Sequence, residues 1–226
     1  MSQNGDKVIR PAKYAKSADT LDRILKAALE SFSERGLLAV STREIAMAAD
    51  VNQPAISYHF GSKDALYLAC IDKIIDDYLA LASTGEVAHA ITLLESESVH
   101  AKDARSALDG VMRQVLRFLL GKSTSRSGAL LLREMYNPGI AYDRLYRKVW
   151  SPGIQLVAGL ISLARANGEN TKEVTMDALM LISSLSAFTV GRNLSTQTLN
   201  WSVIESKELS LIDDRLTALV NSVTRI

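Results

Sequence analysis

Between Asn52 and Tyr67 the chain reads NQPAISYHFGSKDALY, and this stretch limits the possible folds more than any other. A turn residue opens it, and Pro54 follows at a first-turn position where a helix tolerates proline. Gly61 then interrupts the helix and Ser62 restarts one. The segment between is barely two turns long, too short to be stable by itself in water. Ile56 and Phe60, four apart, share one face and are expected to be its buried side. Ala55, Ser57, Tyr58 and His59 are then left facing out.

The preceding residues supply what such a helix needs to lean on. Leu21, Ile24, Leu25, Ala28 and Phe32 form one apolar stripe, with Asp19 as a candidate cap at its start and Gly36 ending it. In STREIAMAAD, Ser41 and Glu44 have the spacing of a capping box, and Ile45 and Ala49 point inward. Asp50 to Asn52 read as a three-residue turn, with Val51 plugging the corner and Asn52 capping the short helix. Ser62 caps a long helix, KDALYLACIDKIIDDYLALA. Two short helices joined by a tight turn and braced by a third form a helix-turn-helix. Its second short helix presents a free side to a major groove. Small Ala55 and Ser57 let the backbone approach base edges, while Tyr58, His59 and Lys63 are long enough to reach phosphates. Thr42 and Arg43 can hold a phosphate against the N–H groups that open their helix. The alternative is a helical hairpin with a wet surface.

Composition agrees with this and narrows it. The chain has 226 residues, 47% hydrophobic and 23% charged, with net charge +1, which suits one globular domain or two small ones. With 12 glycines, 4 prolines and apolar residues at helical spacing, the expected class is all-α. The near-neutral balance means that any DNA contact must come from a local patch. Residues 1–17 hold Lys7, Arg10, Lys13 and Lys16 against Asp6, and read as a solvated tail or as a basic arm that reaches DNA. No signal-peptide core and no run of eighteen apolar residues is visible, so a cytoplasmic protein without a membrane partner is expected. The single cysteine, Cys70, has no partner for an intramolecular disulfide. Among Leu66, Ile71 and Ile74 it reads as a buried packing residue.

ILKAALESFSERGLLAVSTREIAMAADVNQPAISYHFGSKDALY resembles the N-terminal domain of the TetR family of bacterial transcriptional repressors, over roughly residues 20 to 70. The resemblance implies that the positions matching Thr42, Arg43, Gln53, Ala55, Ser57, Tyr58, His59 and Lys63 touch DNA. Gln53-Pro54 departs from the family, where a small or basic residue is commoner. The implied organisation is a basic arm at 1–17, a helix-turn-helix domain at 18–64, and a ligand-binding and dimerisation domain at 65–226.

Beyond residue 83 the pattern predicts further helices over 104–120, 129–136, 141–166 (kinked or split at Pro152), 172–194 and 208–224, with a turn at 168–170. Leu209, Ile212, Leu216, Leu219 and Val223 form a continuous stripe. The helix before it carries Met176, Leu179, Ile182 and Leu185, with small Ser183, Ser186 and Ala187 permitting close packing. Such helices either bury each other within one chain or pack on their own copies as a four-helix bundle, the usual TetR-like dimer. One short reading helix covers too few bases, so a homodimer on a pseudo-palindromic double-stranded operator is expected. LLREMYNPGIAYDRLY is similar to the C-terminal domain of the CecR-like subgroup. The family resemblance implies a small-molecule effector pocket between the middle helices. Candidate lining residues are Met112, Leu116, Arg133, Glu134, Tyr136, Tyr142, Tyr146 and Trp150, with Arg133 or Glu134 fixing a polar end of the ligand. A structural ion pair and aromatic core are the alternatives for these residues.

Signals for catalysis fail. There is no glycine-rich phosphate loop, no nucleophile elbow and no cysteine pair. Glu86 with His89 and Glu97 with His100 have di-iron spacing, yet on one continuous helix they would stand about 16 Å apart. Neither an enzyme nor a cofactor or metal site is expected. The expected function is a repressor released from DNA by a small ligand. The rival is a DNA-bound adaptor whose effector is a protein, as in the nucleoid-occlusion division inhibitors of the same fold.

Overall fold

The computed structural model describes residues 12–120, 125–165 and 171–225, and every regular element among them is helical. The chain is all-α, as its spacing predicts. Residues 1–11 of the expected basic arm, the side chains of 12–17 and the turn at 168–170 lie outside the described residues. The fold divides into two units after Cys70.

The first unit holds α1 (Ala12–Arg35), α2 (Thr42–Ala48), α3 (Gln53–Phe60) and the first residues of α4 (Lys63–Ala82). Ile24, Ala28 and Phe32 of α1 are buried, with Leu21 and Leu25 half-buried beside them. Gly36 ends the helix at φ 81°, a left-handed backbone that favours glycine. Its N–H bonds to the Phe32 carbonyl at 2.8 Å. Asp19 is not the cap of this helix. It lies well inside α1, and its carboxylate stands 3.9 Å from Arg23, four residues on.

Local chemistry fixes α2. Ser41 Oγ accepts from the Glu44 N–H at 3.2 Å, and Glu44 Oε2 accepts from the Ser41 N–H at 2.8 Å, completing the capping box. Arg35 closes the same carboxylate at 2.7 Å from the end of α1. Its guanidinium, with the Ser41 bonds, holds the Glu44 carboxyl down to about 2. Ile45 and Ala49 face inward, as their spacing predicts.

The expected boundary at 64/65 falls six residues short of the division after Cys70. Leu66, Tyr67 and Cys70 are buried. The Tyr67 ring meets Phe32 edge-on at 5.1 Å, and the Cys70 thiol lies 3.8 Å from the Leu25 carbonyl. Burial pushes that thiol up to about 12, so it stays protonated and inert, as a packing residue should.

The second unit contains α5 (Gly85–Leu94), α6 (Ala101–Leu120), α7 (Ser125–Tyr136), α8 (Tyr142–Leu145), a π turn (Tyr146–Trp150), α9 (Ser151–Ala164), α10 (Lys172–Ser183), a 3₁₀ turn (Ser184–Phe188), α11 (Arg192–Thr198) and α12 (Ser206–Val223). Its core gathers Leu108, Met112 and Leu116 of α6 with Leu160 and Ile161 of α9, Leu181 of α10, and Ile212, Leu216 and Val220 of α12. Thr84 makes no side-chain cap for α5. Gln114 of α6 replaces it, accepting from Glu86 N–H at 3.0 Å and Val87 N–H at 3.3 Å while donating to Leu81 O at 3.0 Å. Among the described residues no single helix is long and apolar enough to cross a membrane.

Three expectations change here, and the interruption expected at Pro152 takes a specific form. The helix predicted over 172–194 stops at Ser183, becomes 3₁₀, turns and restarts at Arg192. Hydroxyls compete for its carbonyls, as Ser/Thr side chains do in helices: Ser184 Oγ donates to Leu181 O at 2.6 Å and Thr189 Oγ1 to Leu185 O at 3.2 Å. The break at Pro152 is a π turn just upstream, where Ser151 N–H reaches back to Tyr146 O. A widened turn spares the proline ring its clash with the preceding turn. Glu97 and His100 sit in the non-helical connection before α6, so the two Glu-x-x-His pairs share no helix. Finally, the stripe on α12 faces its own chain: Ile212 and Leu216 are core, while Leu219 is exposed.

That last difference sets a stability contrast. Leu216 is 2% exposed and Leu219 43%, so Leu216→Ala should cost about 2–5 kcal/mol and Leu219→Ala under about 0.5 kcal/mol in urea unfolding. Equal costs would place the α12 core on the wrong face. A second expectation concerns acid. Because the folded Glu44 value lies below the ordinary 4.5, its contribution to stability is full above that value. It is lost as pH falls through about 2. A carboxyl NMR titration should show Glu44 at that low midpoint, moving up toward 4.5 in Arg35→Gln; an unmoved midpoint would discount the bridge.

Candidate nucleic-acid interface and ligand cavity

The residues expected to face DNA lie on α3 and at the starts of α2 and α4. Asn52 Oδ1 caps α3 by accepting from Ala55 N–H at 3.2 Å, and Pro54 stands in the first turn. Gly61 closes the helix at φ 79°, and Ser62 Oγ accepts from Ala65 N–H at 3.0 Å to start α4. Ile56 is buried and Phe60 half-buried. Gln53, Ser57 and Tyr58 are exposed, Tyr58 at 86%, and Ala55 and His59 are half-exposed at the edges. The Tyr58 and His59 rings meet edge-on at 5.0 Å, which limits both side chains to a shared region of the surface.

Two contacts tie the reading helix to its support. Gln53 Nε2 donates to Thr42 Oγ1 at 3.3 Å, so the first residue of α3 is registered against the first residue of α2. Arg43, next to Thr42, is exposed. Lys63, the remaining candidate for a phosphate, stands at the start of α4 and is half-buried. Its Nζ donates to Leu37 O at 2.9 Å and Val40 O at 3.0 Å, clamping the α1–α2 connection. Leu38 and Met47, two exposed apolar side chains of this unit, carry no periodic signal that could have singled them out.

In the second unit a cavity of about 160 Å³ opens between α6, α7, the π turn with α9, and the end of α10. Its lining includes Val115, Phe118, Leu132, Met135, Trp150, Ile154 and Ile182, with Tyr78 from α4. Tyr78 meets Phe118 edge-on at 5.7 Å, and burial pushes its phenol up, which keeps it neutral. Ser183 and Ser186 add two hydroxyls at the α10 side. Leu179 and Ser183 belong to the lining and are also exposed, so the cavity opens to the surface there.

Of the predicted ligand residues only Trp150 lines this cavity. Met112 and Leu116 are closed off in the core, because the cavity lies on the flank of α6 marked by Val111, Val115 and Phe118. Glu134 is buried and accepts from Gly139 N–H at 3.0 Å, bracing the loop after α7. Arg133 is half-buried on the same helix and also outside the lining. Tyr136 and Tyr146 are exposed. Tyr142 stacks on Tyr146 at 6.4 Å and leans on Trp150 at 5.3 Å, so these aromatics form a row outside the cavity that ends at its wall. A periodic pattern finds the centre of a core, whereas free volume lies where small residues such as Gly153, Ser183 and Ser186 oppose large ones.

Among the described residues no group of three or more His, Cys, Asp or Glu side chains is arranged to hold a metal ion.

Comparison with known proteins gives these features a common origin. Residues 24–70 match the family model of bacterial regulatory proteins of the tetR family. Residues 104–225 match the C-terminal domain of the HTH-type transcriptional dual regulator CecR. CecR of Shigella flexneri is 27% identical over 213 residues, covering 94% of this chain and 95% of that protein. The regulator RutR of Escherichia coli (strain K12) is 42% identical over 57 residues, 25% of this chain and 27% of its own length. A crystal structure of a TetR-like regulator from Rhodococcus sp. RHA1 is similar at TM-score 0.60 and 22% identity, covering 89% of this chain and 93% of that one. HlyIIR, a hemolysin II transcriptional regulator, is similar at TM-score 0.60 and 17% identity, covering 92% and 98%. At these identities the solved structures speak for the fold alone. The chain belongs to the TetR family of bacterial regulatory proteins, carries a C-terminal domain of the CecR type, and is a transcriptional regulator of that family.

Proposed function

We propose that this regulator is a homodimeric repressor that holds a pseudo-palindromic operator through α3 and leaves it when a small molecule enters the cavity of the second unit. The observation that carries the DNA half is the free face of α3, with Gln53, Ser57 and Tyr58 exposed while Ile56 is buried. Ser57 and Gln53 read base edges, Ala55 lets the backbone come close, and Tyr58, His59, Thr42 and Arg43 hold phosphates. Lys63 supports this surface from beneath by fixing the loop that leads into α2.

One such helix reads a single half-site, so affinity requires two copies about one turn of DNA apart. Exposed apolar side chains supply the surface for a second copy: Met176 and Met180 of α10 and Leu194 of α11. Scattered exposed leucines need no explanation, but several along adjoining elements do.

For the switch, the cavity is the supporting observation. The π turn that forms part of its wall follows directly on α8, and Arg144 of α8 donates to Asp72 of α4 at 2.6 Å. A ligand that favours a different position of the π turn thereby biases α4, the helix that begins at the reading unit. The protein-effector alternative would use the apolar surface that dimerisation here occupies, and it leaves the cavity without a role.

Two measurements test this reading. At a mapped operator, Arg43→Gln should flatten the log–log salt slope by about 0.9, as loss of one phosphate contact does. Lys63→Gln should instead lower the unfolding midpoint and leave the slope unchanged. A flattened slope with unaltered stability would return Lys63 to the phosphates. For assembly, Met180→Glu with Leu194→Glu should sediment as a folded monomer without operator binding, since those side chains are 69% and 72% exposed. An intact dimer would move the interface elsewhere.

A further inference from the structure

Several surfaces compete for a further role. The open groove lined by Asp72, Asp76, Arg144, Arg147 and Lys148 is satisfied internally by the Arg144–Asp72 pair and has no buried polar group aimed into it. Cys70 is closed off. The cavity of the second unit is different, because its size and chemistry restrict what it accepts.

We infer that this cavity takes a compact, uncharged molecule, from benzene to indole in size and bearing one hydrogen-bonding group, and that it refuses ionised ligands. The inference rests on the reading of this cavity as the effector site. Size is the first limit. The volume is about 160 Å³, close to the roughly 150 Å³ of an apolar cavity that holds benzene. Sites for drug-sized ligands run from about 300 to 1,000 Å³.

Charge is the second limit. Among the described residues, no Asp, Glu, Lys, Arg or His lines the space. Arg133 and Glu134, between the lining residues Leu132 and Met135, are outside the lining, and Glu134 accepts from Gly139 N–H. An ionised group entering here would leave water with no counter-charge to meet it. A single neutral donor or acceptor is accommodated, because Tyr78, Trp150, Ser183 and Ser186 bring the polar groups of the wall. Tyr78 stays protonated, for burial raises its phenol.

Gly153 keeps the space open. A Cβ there would stand 3.6 Å from the Tyr78 hydroxyl, in ordinary contact. Alanine is therefore accepted, whereas a leucine must extend past Tyr78 into the cavity.

The test uses the full chain without DNA, titrated by calorimetry at neutral pH with indole and benzyl alcohol, then with benzoate and benzylammonium as charged counterparts. Both neutral probes should bind, and each charged one should bind at least about 100-fold more weakly. Gly153→Leu should abolish indole binding, with an unchanged helical signal. If Gly153→Leu does not fold, Ser183→Leu closes the same cavity from its exposed mouth and should also abolish binding. Benzoate binding as tight as benzyl alcohol, no binding of either neutral probe, or undiminished indole binding in a folded filled variant would each overturn the inference. Operator release is read separately, by fluorescence anisotropy of labelled DNA with indole. Binding without release counts against the effector role alone and leaves the ligand class standing.

Discussion

Ile56 anchors everything the first unit presents. Helix α3 has eight residues and Ile56 is its one fully buried side chain, so propensity cannot hold it. Its direction is set by that anchor in a core of Phe32, Ile45 and Tyr67. The remaining freedom is removed at the ends, by the Asn52 cap at the start and the Gly61 turn at the finish. A helix held at one buried point and two termini keeps its outer face free of structural duty. Ser57 and Tyr58 are thereby released from packing, and only such residues can be chosen for what they touch outside the chain.

The same logic explains why this unit was so legible in the sequence. Its determinants are local: Ser41 with Glu44, Asn52 with Ala55, Ser62 with Ala65, each within three residues. Spacing alone displays them. The bonds of Lys63 are not visible in the sequence because their acceptors, Leu37 O and Val40 O, are 26 and 23 residues away. Backbone carbonyls have no sequence signature, so a lysine that closes a loop looks identical to one that awaits a phosphate. Asp19 was misjudged for a local reason. A capping residue type counts as a cap only where a helix begins, and α1 begins earlier.

The second unit was legible in its helices and illegible in its cavity. Helices are written in the identities of large residues, whereas a cavity is the difference between the space enclosed and the volume filled. The most hydrophobic positions, Met112 and Leu116, are those that packing closes completely. A stripe has a related ambiguity: the apolar spacing on α12 states that one face is buried but not in whose core. Ile212 and Leu216 answer to α6 and α10 of their own chain. What remains exposed after the chain has packed on itself includes Met176 and Met180 of α10 and Leu194 of α11, where the predicted single helix is in fact broken.

Those breaks also connect the two readings of the second unit. A continuous helix through 141–164 would be a rigid rod, insensitive to what occupies the space beside it. Pro152 forbids that rod, and the π turn that accommodates it places Val149 and Trp150 in the cavity wall. On the opposite side, the hydroxyls near Ser184 break α10 and place Leu185 and Ser186 there. Both irregular turns therefore border this cavity, and such turns rearrange at lower cost than α-helix because their hydrogen bonds are poorer. Just before the first of them, with only Leu145 between, stands Arg144 with its bond to Asp72. With both side chains over a third exposed, that pair adds little to stability. Its worth lies in registry, since it ties α4 to the helix that leads directly into the π turn.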